Sequence, residues 1–130
     1  MKRAIVAVAL IFVLWSALDF VIHGIVLSKA YQSTAALWRP MDEMKMYLIY
    51  TSTFLLAVAF VSIYVLFVEE KRVGTGVKYG LLFGLGVGIS MGYGTYAVMP
   101  IPYHMAFTWF LGTVIESTLA GIIVGLVVKD

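Results

Sequence analysis

The chain has 130 residues, 62% of them hydrophobic, with a mean hydropathy of +1.00. Only 12% are charged, against about 25% in a soluble domain, so lipid rather than water is the expected solvent. The net charge of +2 comes without a basic stripe, which argues against a nucleic-acid partner, and the lack of cysteine excludes disulfides, thiolate metal sites and cysteine catalysis.

The start, "MKRAIVAVALIFVLWSALDF", imitates a signal peptide, with two cations before an apolar run. The run continues past Asp19 to Leu27, long enough to cross a hydrocarbon core of about 30 Å, so an uncleaved first helix is expected. Further apolar segments give helices at about 4–28, 46–68, 77–99 and 105–128. No segment alternates with a period of two, so no strand is expected. The connections are short, and the predicted fold is all-α: an integral membrane antiparallel four-helix bundle in a single domain, 1–130. Between the first two helices, Ala35–Trp38 can form a short interfacial helix ended by Arg39-Pro40.

Lys2, Arg3, Lys71, Arg72, Lys78 and Lys129 fall at one set of helix ends; Lys29, Arg39 and Lys45 fall at the other. The richer side is expected to be cytoplasmic, placing both termini inside. The "SKAYQSTAALWRPMDEMK" loop and the "PIPYH" turn then face outward.

The third helix reads "GVKYGLLFGLGVGISMGYG", with Gly76, Gly80, Gly84, Gly88 and Gly92 four apart and Gly86 and Gly94 added. Each interior glycine costs a soluble helix up to about 1 kcal/mol against alanine. Between helices in lipid, association rests on close van der Waals contact, so small residues gather where backbones touch. The fourth helix offers a matching row, Thr113, Ser117, Gly121 and Gly125. These rows are expected to act as a glycine zipper, packing on each other or on a second copy. No strand and no Gly-Lys-Ser/Thr ending accompany them, so they are not a phosphate loop.

Two carboxylates interrupt the apolar runs: Asp19 in the first helix and Glu116 in the fourth. A charge at mid-bilayer costs about 2.5–3.5 kcal/mol on insertion scales, which makes each a functional candidate. His23 follows Asp19 by one turn on the same face. At 1.5 Å per residue, both acids fall roughly 10–15 Å from the outer boundary, in one layer. Tyr50, Thr51, Ser52 and Thr53, Ser90, Tyr93, Thr95 and Tyr96, and Thr113 and Ser117 share the outer half, whereas the inner half is nearly dry. The asymmetry predicts an outward polar cup on an apolar floor. Its candidate ligand-binding residues are Asp19, His23, Tyr50, Tyr93, Tyr96 and Glu116, and a cation, proton or small amine would suit them. The alternative is that these groups only satisfy one another and pin the helices.

Met41, Met44 and Met46 cluster in "MDEMKM", and His104 lies in the opposite turn. Thioethers and imidazole suit copper(I), making these the candidate metal ligands, although methionine is also an adaptable apolar filler. No catalytic motif, nucleophile or cofactor fingerprint is present, so no cofactor and no catalytic residues are expected. The expected partners are the bilayer and either a second copy or another membrane protein.

Leu18-Asp19, the "GLLFGL" start of the third helix, "YGTY" at Tyr93–Tyr96, and Trp109 followed by an acid on the last helix carry a resemblance. The chain resembles the uncharacterised small four-helix membrane proteins of bacteria. The pattern often has aspartate where Glu116 stands here. The resemblance implies a bacterial inner-membrane protein and brings no established activity.

Overall fold

The computed structural model describes residues 1–130 and contains helices and no strands. Four helices are long and apolar enough to cross a membrane: Lys2–Val26, Met46–Phe67, Val73–Val98 and Tyr103–Val127. They are called the first to fourth helices below. A short helix, Ser28–Ser33, and two single 3-10 turns, Ala35–Leu37 and Met41–Glu43, fill the first connection. Helix ends follow local chemistry. Met99, held extended before Pro100, stops the third helix, and Pro102 starts the fourth with its fixed φ. The third helix begins at Val73, four residues before the expected Val77, because its glycine-rich first turn is held by the fourth helix.

Glycine serves here for close approach and not for turns, since none has a positive φ. A Cβ at Gly76 would strike the carbonyl oxygen of Gly121, and one at Gly80 that of Ser117. At Gly84 it would lie 2.9 Å from the Val114 Cα, and at Gly92 2.6 Å from the Ala106 carbonyl oxygen. In the other direction, a Cβ at Gly125 would meet the Val73 Cα at 2.8 Å. The third and fourth helices therefore touch backbone to backbone along their length. Gly86 and Gly94 lie on another face with nothing within 4 Å.

Two apolar clusters sit at opposite ends. One joins Ala7, Ile11 and Trp15 of the first helix to Phe60, Val61 and Tyr64 of the second and to Ala120 and Val124 of the fourth. Its tyrosines are satisfied by backbone: the Tyr79 hydroxyl donates to Phe60 O at 2.6 Å and the Tyr64 hydroxyl to Arg72 O at 3.2 Å. Arg3 Nη1 donates to Lys129 O at 2.8 Å and Lys71 N–H to Asp130 Oδ2 at 3.3 Å, so both termini and the 68–72 connection meet at this end. The other cluster, Leu27, Ala30, Ile101, Met105 and Ala106, lies at the opposite end beneath Trp38 and Trp109.

Contrasting glycine substitutions test the packing. Gly121→Ala places a Cβ against backbone, which cannot rotate away, and should destabilise by about 1–3 kcal/mol or more. Gly86→Ala meets nothing and should be neutral or gain up to about 1 kcal/mol of helix propensity. Thermal unfolding in detergent, followed by circular dichroism, separates the two; equal effects would contradict the packing.

Candidate functional site

The close contact of the third and fourth helices fixes which way the fourth helix faces. Ser117 is turned toward Gly80 and Gly84. Glu116, one residue earlier, is rotated by about 100°, toward the first helix. Trp15 of that helix anchors it there, its Nε1–H donating to the Glu116 backbone oxygen at 2.9 Å. One turn away, Gly112 makes room for Ile22, whose Cδ1 would lie 2.8 Å from an added Cβ.

Two helices depart from regular α geometry beside this region. Phe20–Val26 and Ile89–Gly94 are π-helical, and Leu27 N–H reaches back five residues to Ile22 O at 2.9 Å. Such widened turns recur at functional sites because they redirect side chains and free backbone groups. Asp19 stands at the start of the first π segment, with His23 inside it.

The result is a cavity of about 290 Å³ between all four helices. Asp19, His23 and Glu116 line it together. Ser52 and Thr53 face it from the second helix, Thr113 and Ser117 from the fourth, and Trp15 and Trp109 supply aromatic walls. The Glu116 carboxyl shares this lining with that of Asp19. Its Oε1 is buried and has no protein partner. Asp19 Oδ1 also faces His23 Nε2 at 4.0 Å.

From His23 the polar chain continues outward. Nδ1 lies 2.6 Å from the Tyr31 hydroxyl, which accepts a hydrogen bond from Trp109 Nε1–H at 3.1 Å. A Tyr31 O–H that donates to Nδ1 leaves the imidazole proton on Nε2, facing Asp19. Trp38 closes the cluster, its ring 5.3 Å from Tyr31 and 6.0 Å from Trp109, with its Nε1–H on Thr34 Oγ1 at 2.8 Å. Asp19, His23 and Tyr31 thus form one file from the cavity, where Glu116 also lies, to its aromatic cover.

The other candidate residues lie elsewhere. Tyr50 is exposed on the second helix, outside the cavity lining. The Tyr93 hydroxyl pairs with that of Tyr103 at 3.0 Å, and Tyr96 packs edge-on against the same ring, so both belong to a separate aromatic group. Met41 is 79% exposed and Met46 45%, Met44 is half-buried, and His104 is exposed in the first turn of the fourth helix. No group of three or more His, Asp or Glu is placed to hold a metal ion. Sequence reasoning passed over Tyr31, Trp38 and Trp15 as site residues. Trp109 precedes Glu116 by seven residues, two helical turns on one face, and that spacing was a usable signal.

No protein-family model, curated protein or solved structure matches this chain.

Tyr31, beyond the end of the first helix, offers a spectroscopic handle. Burial pushes its hydroxyl up to about 12; the Trp109 hydrogen bond opposes this and the nearby Asp19 charge adds to it. The neutral phenol is therefore favoured in the folded state. The stability it contributes is fully present below pH about 10, the unfolded value, and is lost as pH rises through about 12. The difference in phenolate absorbance between wild type and Tyr31→Phe should show one tyrosine titrating near that upper value. A midpoint near 10 would mean that Tyr31 is not enclosed.

Proposed function

We propose that this chain is a bacterial inner-membrane protein whose four long helices form an antiparallel bundle with both termini cytoplasmic, and whose outward cavity binds or passes a small cation, a protonated amine or a proton. The helices' length and apolar composition support the membrane placement, and the Lys and Arg distribution supports the orientation. The observation that carries the functional reading is the presence of Asp19 and Glu116 in the lining of one cavity, with a buried Glu116 carboxyl oxygen left unpartnered. A purely structural pair would be expected to satisfy its own acceptors, since buried polar atoms rarely go without a partner. A small cation or an ammonium group would supply the missing donor or charge. Trp15 and Trp109 add aromatic faces, which attract cations by their quadrupoles. The file through His23 to Tyr31 provides a path for a proton between the cavity and its cover.

The reading is tested with ethanolamine or sodium ions added to purified protein in maltoside micelles, followed by tryptophan fluorescence. Binding should quench or shift the emission of the lining tryptophans. Glu116→Gln should weaken it at least tenfold, about 1.4 kcal/mol, while the protein remains folded. Affinity unaltered in that variant would place the ligand elsewhere and overturn the reading.

A second reading, an accessory subunit of a membrane complex or a homo-oligomer, has one observation in its favour. Gly76, Gly80, Gly84, Gly88 and Gly92 are covered by the fourth helix, but Gly86, Ser90 and Gly94 form an open small-residue row four apart on the exposed side of the third helix. Close helix association in lipid uses such rows. If it holds a second chain, Gly86→Leu with Gly94→Leu should abolish association measured by cross-linking in membranes and leave ethanolamine binding intact. Unchanged association would remove support for that surface.

A further inference from the structure

The inner cavity has an outer neighbour of opposite charge. A second, more open cavity of about 720 Å³ is lined by Trp38, Arg39, Met44 and Lys45 from the first connection and the start of the second helix. Ser52 and Thr53 belong to the lining of both cavities, so the two adjoin at the second helix. The inner one presents Asp19 and Glu116; the outer one presents Arg39 and Lys45. Neither cation is ion-paired, although Asp42 and Glu43 stand between them in sequence. Lys45 to Ser52 is seven residues, roughly 10 Å of helix at 1.5 Å per residue, and the long flexible stems of both cations shorten the gap to be bridged.

We infer that the paired cavities recognise a zwitterion: an ammonium group held by Asp19 and Glu116, and an anionic phosphate or carboxylate held by Arg39 and Lys45. This rests on the proposed cation site and names its ligand class. A bare cation would be repelled by an outer cavity carrying two unpaired positive charges. A molecule with a leading ammonium and a trailing anion meets complementary charge at both levels. Arg39 offers a planar fork suited to phosphate or carboxylate, and Lys45 a point charge. Ser52 and Thr53, at the junction, can hydrogen-bond the polar stem between the two ends. The same chemistry exists in a free aminoalkyl phosphate and in an aminoalkyl-phosphate lipid headgroup.

The test uses full-length protein in maltoside micelles with three probes: ethanolamine, phosphoethanolamine, and phosphatidylethanolamine doped into the micelles. Affinity is read by tryptophan fluorescence and checked by calorimetry. Phosphoethanolamine or the lipid should bind at least tenfold tighter than ethanolamine. Arg39→Gln with Lys45→Gln should erase that advantage while ethanolamine, relieved of two nearby positive charges, binds at least as tightly as before. Both positions are exposed, so the fold should tolerate the change. A tighter hold on the lipid than on the free phosphate assigns the headgroup as the source; the reverse assigns the free molecule. If ethanolamine binds and depends on Glu116, but phosphate adds nothing or its advantage survives the double substitution, the zwitterion inference falls and the cation site stands. If ethanolamine binding is indifferent to Glu116, the cation site itself falls.

Discussion

The contact on which the structure depends is the meeting of two bare backbones. The third and fourth helices approach so closely that a single added carbon at Gly76, Gly80 or Gly121 would strike main chain. Glycine in a helix is otherwise a cost. Here it yields a rigid pair whose relative rotation is fixed, because the small-residue rows engage in only one phase. That phase leaves Glu116 facing the first helix. The carboxylate's direction is thus a consequence of residues on the far side of its own helix.

The first and second helices close on this pair through larger side chains. Near the termini, Ile11, Trp15, Phe60 and Tyr64 fill the space completely. At the other end, Met105, Ala106 and Leu27 do the same beneath the tryptophans. Between the clusters the first helix widens into its π segment, and Ser52 and Thr53 are too small to fill the gap. A cavity results where polar groups from all four helices meet. If the surroundings are lipid, as composition argues, those groups have no other polar medium to turn to, and their mutual arrangement decides the chemistry.

Much of this was legible in the sequence, and the limits have a physical cause. Long apolar runs announce helices plainly, and the second begins at Met46 as its hydropathy indicated. A charge inside such a run stands out, so Asp19 and Glu116 were visible at once. Depth along a helix follows from a fixed rise, which put both acids in one layer. Rotation about the helix axis does not follow from depth. Tyr50, Tyr93 and Tyr96 fall in the same half by sequence but turn away, because rotation is set by packing against neighbours. The π turns shift it again with no evident signal in composition. Tyr31 and Trp38 lie in an irregular connection, where the path of the chain depends on tertiary contacts that spacing does not encode. The early start of the third helix has the same origin: its first turn is helical where Gly76 lies against Gly121 and Gly125, and Val73 against Gly125.

The central claim is that Asp19 and Glu116, which line one cavity, interact within the protein. A double-mutant cycle on thermal stability in detergent, using Asp19→Asn, Glu116→Gln and the double variant, measures that interaction without reference to any ligand. Groups in direct contact should give a coupling of about 0.5–3 kcal/mol. Effects that simply add, within about 0.3–0.5 kcal/mol, would mean the two carboxyls act independently and would contradict the account.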